Sequence, residues 1–257
     1  MHDVKLDRQN PDFLWLATMK GLCHYNRKTA DTTWFYPKKQ FPEASNEIQM
    51  LCETEGGHLW FSSAGFGLVH FDVNTQQFNY LFHKENDKNS LVGNFARRTC
   101  EGGKDTLWIA TNTGLSCYDI RNQRFTNFTL NNGLRGGNLV YDVMPDKKGG
   151  IWFTTNQYLT RYDTRSRQFF YYNRANGFET NFNRASIFLD EKGVLYVGGI
   201  NGLVVCDPGN IKQNTAIPRV VLTNFTVKNQ PKTRAAGRRL PRARRRVAAR
   251  GKAVEDH

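Results

Sequence analysis

One pattern recurs five times along the chain, and it limits the fold more than any other feature of the sequence. Each copy contains an aromatic residue within a short apolar run, and successive aromatic residues are 45, 48, 44 and 44 positions apart. These residues are Trp15, Trp60, Trp108, Trp152 and Tyr196. A period of this length indicates a fold built from repeated supersecondary units.

Two further landmarks follow each repeat aromatic residue in the same order. The first is a Gly-Leu pair, which Tyr158-Leu159 replaces in the fourth copy. The second is an aromatic residue followed by Asn or Asp, which Cys206-Asp207 replaces in the fifth copy. We interpret the acidic members of the second landmark as turn formers, because an Asp carboxylate accepts hydrogen bonds from nearby backbone N–H groups. They are Asp72, Asp119, Asp163 and Asp207.

The residues between these landmarks indicate four short β-strands in each copy. Apolar and aromatic residues alternate over four to seven positions between clusters of Gly, Asn and Asp. In the second copy this pattern predicts strands at 48–53, 58–63, 67–72 and 77–82. The glycines before each repeat aromatic residue supply the positive φ that tight hairpins require. Helical repeats are disfavoured, because the segments lack a 3.6-residue period.

A four-stranded antiparallel unit of about 45 residues is the size of one β-propeller blade. The predicted fold class is therefore all-β: a β-propeller of WD40-like four-stranded blades. We expect the repeat tryptophans to pack between blades. The five predicted blades span about 1–42, 43–90, 91–135, 136–180 and 181–217.

The two outer copies raise the question of how the ring is completed. Residues 4–7 already supply the first strand of the first blade, and the fifth copy lacks an aromatic fourth strand after Pro208. Five blades could close with a defect in the last one. We favour the alternative, in which they are a fragment of a larger, seven-bladed propeller.

The sequence changes character after residue 217. Residues 218–227 alternate as one strand opened by a proline, and we interpret 218–231 as the start of a second domain. Residues 232–257 carry a net charge of +8, which leaves +5 of the total +13 for the rest. We expect this basic tail to be disordered and non-native, since it lacks aromatic residues. A basic tail that binds nucleic acid or a membrane is the alternative.

The unit from Asp105 to Phe125 resembles the two-component regulator propeller repeat, and the strand that opens at Pro218 resembles the start of the Ig-like three-tyrosine domain. The resemblance covers about residues 1–231. It implies the periplasmic sensor region of a hybrid two-component histidine kinase, in which a membrane span and a kinase core follow. Many members of that family respond to breakdown products of complex carbohydrates.

The resemblance therefore implies a ligand-sensing part with no catalytic activity of its own. Its partner would be an oligosaccharide or another small-molecule ligand, and the full-length sensor could form a homodimer. We expect no cofactor, no nucleic acid on the propeller, and no membrane span in this chain. No apolar run approaches the about 18 residues that a spanning helix needs.

Ligands of propellers are expected at one mouth of the central channel, where loops lead into each innermost strand. Those loops carry amides, guanidinium groups and aromatic rings, which can hydrogen-bond sugar hydroxyls and stack on sugar faces. The predicted ligand-binding residues are Asn94, Phe95, Arg97, Asn138, Tyr141, Asn183 and Arg184. Asparagine recurs at the matching position of copies two to four, so a structural turn is an equally open interpretation of it.

Metal-binding and catalytic interpretations have less support. His24, His70 and Cys117 occupy one position in successive copies, but neighbouring blades diverge too far there for one ion. The five cysteines show no CxxC spacing, and Cys52 and Cys100 are expected to be buried thiols. A protein-interaction scaffold remains the main alternative function. A propeller lyase or hydrolase would need convergent polar groups that the loops do not supply.

Overall fold

The fold is described from a computed structural model, which describes residues 1–54, 57–63, 65–103, 105–178, 181–208, 210–211, 226–227 and 230–231. The chain divides into two compact units, Met1–Ile211 and Lys212–His257. The first unit contains five antiparallel sheets in chain order, which are the five predicted blades. The all-β prediction is confirmed.

The strands of each sheet lie in sequence order from the inner to the outer edge. Blade one contains β1 (Asp3–Leu6), β2 (Phe13–Ala17), β3 (Leu22–Asn26) and β4 (Thr32–Phe35), with the short helix α1 (Pro37–Gln40) after it. Blade two contains β5 (Ile48–Thr54), β6 (His58–Ser63), β7 (Leu68–Asp72) and β8 (Gln77–Leu81). Blade three contains β9 (Ala96–Gly103), β10 (Thr106–Thr111), β11 (Leu115–Asp119) and β12 (Arg124–Phe128).

Blade four contains β13 (Asp142–Pro145), β14 (Gly150–Thr154), β15 (Leu159–Asp163) and β16 (Gln168–Tyr172), followed by a 3₁₀ turn at Arg174–Asn176. Blade five contains β17 (Phe182–Leu189), β18 (Leu195–Gly199) and β19 (Gly202–Cys206). Within the described residues blade five has three strands, and residues 212–225, which follow them, lie outside the described residues, so the predicted lack of a fourth strand stays a prediction. The first strands of consecutive blades lie side by side, as the inner strands of a propeller do.

The second unit is described at two short strands, β20 (Thr226–Val227) and β21 (Gln230–Pro231), which pair antiparallel. The rest of the strand predicted at 218–227, and the whole tail predicted at 232–257, lie outside the described residues. The start of an Ig-like domain and the disordered tail therefore stay predictions.

The four repeat tryptophans pack between blades, as predicted. Each of the first three tryptophans lies on the second strand of its blade and contacts the third-strand aromatic residue of the next blade. The ring-centroid distances are 6.2 Å for Trp15–Phe71, 5.9 Å for Trp60–Tyr118 and 5.5 Å for Trp108–Tyr162. Trp152 belongs to the core cluster that includes Phe182, Ile187 and Val197 of blade five.

The glycine of the Gly-Leu landmark is required by a close approach of the fourth strand. A Cβ added at Gly21 or Gly114 would lie 2.6 Å from the carbonyl oxygen that ends the fourth strand of that blade, and one at Gly67 would clash with the carbonyl oxygen of Leu81. At Gly202, in blade five, an added Cβ would meet no described atom within 4 Å. In blades one to three the landmark glycine therefore leaves room for the end of the fourth strand.

Aspartates on the inner strands link one blade to the next. The Asp3 carboxylate accepts a hydrogen bond from the backbone N–H of Leu51 at 2.9 Å, and that of Asp142 accepts one from Ile187 at 2.7 Å. Both N–H groups follow a register shift in their strand, where the ladder leaves donors without a strand partner. Asp142, which is fully buried, also pairs with the Arg98 guanidinium of blade three at 3.3 Å. This carboxylate therefore connects three consecutive blades.

Replacing Asp142 by Asn tests this link. We expect Asp142→Asn to lower the free energy of unfolding by about 3–5 kcal/mol, because it leaves the charge of Arg98 in the interior without its partner. Urea denaturation followed by tryptophan fluorescence measures the change. The matched control is Asp12→Asn, which removes an exposed ion pair with Lys28 and should cost at most about 1 kcal/mol. Equal losses in the two variants would contradict the assigned role of Asp142.

Candidate functional site

The loops that lead into the inner strands lie at one mouth of the propeller. Backbone hydrogen bonds join each loop to a hairpin between second and third strands: the Gly67 N–H donates to the Asn94 carbonyl at 2.9 Å, and the Asn112 N–H donates to the Phe95 carbonyl at 3.2 Å. In blade five the Ile200 N–H donates to the Asn181 carbonyl at 2.9 Å. These contacts make the entry loops and the hairpins one continuous rim.

Three equivalent asparagines have a structural role at this rim. The side-chain carbonyl of Asn46 accepts from the backbone N–H of Lys38 at 3.0 Å, and that of Asn94 accepts from His83 at 2.7 Å. The Asn138 side chain accepts from Leu130 at 2.7 Å in the same way. Each bond fixes the loop that leaves the fourth strand of the preceding blade. This shared bond is the structural reason for the recurrence of asparagine.

An aromatic and cationic group lies beside two of these asparagines. Phe95, in the loop before β9, is 57% exposed. The guanidinium carbon of Arg97, at the start of β9, lies 5.8 Å from the ring centroid of Tyr141, which precedes β13. Arg97 of blade three thus makes a cation–π contact with Tyr141 of blade four, and the exposed ring of Phe95 lies two residues before Arg97 in the sequence.

The remaining two predicted ligand-binding residues lie in blade five. Asn183 is exposed on β17, and its carbonyl accepts from the Ser186 hydroxyl at 2.6 Å. Arg184 occupies the next position of the same strand, and its side chain lies outside the described residues. No described contact joins Asn183 to Phe95, Arg97 or Tyr141.

A polar cavity of about 270 Å³ lies along the inner strands of blades one to four. The backbone N–H of Arg8 donates to both oxygens of Glu53, at 3.1 and 3.2 Å, and its guanidinium binds Glu101 at 3.0 Å. Burial raises the pKa of the Glu53 carboxyl, against the lowering effect of the Arg8 N–H bond. Residues of blades one, two and three are therefore tied together across this cavity.

The sequence analysis did not predict the residues that line this cavity. The available signal was a Cys-Glu dipeptide at the same distance before two of the repeat tryptophans. Cys52-Glu53 precedes Trp60 and Cys100-Glu101 precedes Trp108, with the cysteine eight residues before the tryptophan in both cases. Both cysteines line the cavity with their neighbouring glutamates. Burial raises the pKa of the Cys52 thiol to about 11, so this thiol is protonated at neutral pH.

A second cavity, of about 330 Å³, lies between blades two and three. Its wall contains two histidines, with His70 Nε2 at 2.9 Å from His58 Nδ1. The His70 ring also stacks on Trp60, at 4.3 Å between centroids. Tyr118 of blade three closes the other side. Within the described ranges, no three His, Cys, Asp or Glu side chains come together as metal ligands.

The histidine pair makes stability depend on pH. Burial, and then the charge of His58, lowers the pKa of His70 from 6.5 to about 4, whereas Asp72 has a weaker raising effect. The unfolded chain therefore binds a proton near pH 6.5 that the folded chain does not accept until about pH 4. Stability should fall as the pH decreases through this window, and it should be fully retained above pH 6.5.

The variant His70→Gln should flatten this pH dependence, because it removes the titrating group. Urea denaturation at intervals from pH 7.5 to 4 measures the slope. A His2→Gln control, at the exposed start of the chain, should keep the slope of the wild type. If His70→Gln retained the full slope, the destabilisation on acidification would come from another group.

The fold and these sites were compared with known proteins. The extracellular domain of the putative hybrid two component system BT3049 from B. thetaiotaomicron superposes with a TM-score of 0.71, at 22% identity over 90% of this chain and 31% of that chain. The extracellular domain of the putative hybrid two component system BT4673 from the same organism gives a TM-score of 0.65, at 21% identity over 89% of this chain and 33% of that chain. This chain therefore spans about a third of the solved domains that it matches.

One protein with a related sequence is named as a histidine kinase. Histidine kinase P4 of Formosa agariphila is 24% identical over 114 residues, which is 43% of this chain and 8% of that protein. No protein-family model matches the chain. Among the described residues, no helix is long and apolar enough to cross a membrane.

The likeness to solved structures extends to propellers with other functions. A lyase and WD40-repeat proteins also share the fold. The comparisons therefore establish a β-propeller like those in the extracellular domains of hybrid two-component systems, and the fold itself does not decide between binding and catalysis.

Proposed function

We propose that this chain is the ligand-sensing part of an extracellular or periplasmic sensor of the hybrid two-component type. Its structural neighbours include extracellular domains of such systems, and its sequence relative is named as a histidine kinase. The proposed activity is binding, with no chemistry performed on the ligand. The proposed ligand is an oligosaccharide.

The exposed ring of Phe95 beside the Arg97–Tyr141 pair is the observation that carries this proposal. An aromatic ring can stack on the apolar face of a sugar, and a guanidinium donates several hydrogen bonds to hydroxyls. The asparagine bonds at 94 and 138 hold the two entry loops in place before a ligand arrives. A preorganised site of this kind loses little conformational entropy on binding.

The same residues are adjacent to the buried link between blades. Arg97 directly precedes Arg98, and Tyr141 directly precedes Asp142, so both members of the 3.3 Å ion pair have a proposed ligand-binding neighbour. A ligand that moved Arg97 relative to Tyr141 would act on this pair. The pair is joined to blade five through the bond from Ile187 to Asp142. This continuity offers a route for a signal along the inner strands.

Thermal-shift measurements with a panel of oligosaccharides test the proposal. A ligand that binds the folded state raises the melting temperature, and the rise grows with ligand concentration. For a sugar that gives a shift, Phe95→Ala should weaken binding by about twofold to tenfold, because a lost stacking contact is worth about 0.5–1.5 kcal/mol. Val205→Ala, at an exposed apolar side chain on β19 of blade five, is the matched control and should bind like the wild type.

Two results would count against this function. One is the absence of any shift across a broad panel of neutral and acidic oligosaccharides. The other is a shift that Phe95→Ala and Arg97→Gln leave unchanged, which would move the binding site away from this rim.

A protein-interaction scaffold is the second candidate. Met19 and Ile200, at the hairpin tips of blades one and five, are exposed apolar side chains on the same rim. Exposed apolar groups on one face are typical of protein-binding surfaces. If no sugar binds, while Met19→Lys and Ile200→Lys abolish capture of a defined protein partner, the scaffold function is favoured.

A further inference from the structure

One tyrosine breaks the repeat at the rim of blade four. Tyr158 occupies the position where the other four copies have the glycine of the Gly-Leu landmark. Its ring is edge-on to the ring of Tyr171 on β16, with 6.3 Å between the centroids. Gly136, in the entry loop of blade four, lies against Tyr158, since an added Cβ would be 2.7 Å from a ring carbon. A landmark glycine has no side chain for either contact, so the other copies cannot form this packing.

The packing holds Arg135 of the same entry loop at the rim. The guanidinium carbon of Arg135 lies 4.1 Å from the ring centroid of Tyr171. The Thr155 hydroxyl donates to the Arg135 carbonyl at 2.7 Å, and the Tyr171 hydroxyl donates to the Gly133 carbonyl at 2.6 Å. Arg135 is nevertheless exposed. Stacking uses the face of the planar guanidinium, so N–H donors at its edge can reach a ligand.

This part of the rim also has an excess of positive charge. In the entry loops of blades two, three and five, acidic and basic residues are equal in number. These loops are 36–47, 82–95 and 173–181. The entry loop of blade four, 129–141, contains Arg135 and no acidic residue. Asp142, which follows it, is fully buried and paired with Arg98, so it does not balance Arg135. Such a surface favours an anionic ligand.

We propose that Arg135 binds an anionic group of the ligand, and that the oligosaccharide of the proposed function is therefore an acidic one. This inference rests on the proposed function and names the class of its ligand. A carboxylate accepts two parallel hydrogen bonds from a guanidinium, and the terminal oxygens of a sulfate ester can be bound in a similar way. Uronic acids and sulfated sugars are the two sources of such a group. Phe95 and Arg135 would then recognise different parts of one ligand, a sugar face and a charge.

A thermal-shift panel in three groups tests the ligand class. The neutral group contains oligomers of glucose, galactose, mannose and xylose. The carboxylate group contains oligomers of glucuronic and galacturonic acid, and the sulfate group contains sulfated galactose and fucose oligomers. We expect the probes that raise the melting temperature to belong to one of the two acidic groups, and that group identifies the source of the anion. The affinity should fall as salt is raised from about 20 to 300 mM, since salt screens an exposed ion pair.

Substitution of Arg135 tests the residue. For an acidic probe that binds, Arg135→Gln should weaken binding by about tenfold or more, because an amide cannot replace hydrogen bonds from a charged group. Arg135→Lys keeps the charge without the parallel donors, so its affinity should lie between those of the wild type and Arg135→Gln. Arg165→Gln, at an exposed arginine beyond the other end of β15, is the matched control and should bind like the wild type. Isothermal titration calorimetry measures the affinities, and far-UV circular dichroism shows that each variant is folded.

The outcomes separate this inference from the proposed function. If neutral probes alone bind, and Phe95→Ala weakens them, the proposed function stands and the inference is wrong. The inference is also wrong if an acidic probe binds Arg135→Gln as tightly as it binds the wild type. If no probe of any group binds, the proposed function and the inference both fail.

Discussion

The contact between a repeat tryptophan and the third-strand aromatic residue of the next blade is the interaction on which the rest of the propeller depends. A single four-stranded sheet has two apolar faces, and neither can be buried within the sheet itself. Trp15 and Trp152 are at most 1% exposed, because each lies between its own blade and the next. Removing an indole of about 200 Å² from water contributes roughly 5 kcal/mol at most. The period of the sequence is the period of this contact.

Apolar contacts between blades fix their spacing, and the polar links along the inner strands fix their register. Hydrophobic packing has little directional preference, so it tolerates small rotations of one blade on another. The hydrogen bond from the Ile187 N–H to Asp142 does not tolerate such rotations, because its donor and acceptor must stay aligned. The register shifts in β5 and β17 supply the donors for these bonds. Irregular strands are thus part of how the blades are aligned.

Features that repeat, or that arise within a few residues, could be predicted from the sequence. The strands of the second copy were predicted within one residue at each end, at 48–53, 58–63, 67–72 and 77–82. The turn interpretation of Asp72 is also confirmed, since its carboxylate accepts from the N–H of Asn74 at 2.8 Å. Alternation and turn chemistry are local, and both are written in the sequence itself.

Contacts that run diagonally across a hairpin, or that join two blades, left no such signal. His58 and His70 face each other because a hairpin places them diagonally, and the Asp142 link joins residues 45 positions apart. Neither forms a motif along the chain. At the candidate site, the side-chain bond of Asn94 follows from its recurrence, whereas the contact of Arg97 with Tyr141 depends on how two blades are packed. The structural part of the rim was therefore more predictable than the part proposed to bind.

There is a physical reason why the structural residues of the rim differ from the residues proposed to bind a ligand. The aromatic residues that pack one blade on the next recur from copy to copy, since the interfaces between blades are alike. Residues that distinguish one ligand from another must differ around the rim, because a ligand lacks the symmetry of the propeller. Arg97 and Tyr141 differ from the residues at the equivalent position of other blades. Each is also one residue away from a member of the Arg98–Asp142 ion pair that links the blades. A ligand can shift a conformational equilibrium only through contacts that differ between the two states. A variable rim residue that directly precedes a buried link between blades satisfies that requirement, and under the proposed function it is where recognition and response would meet.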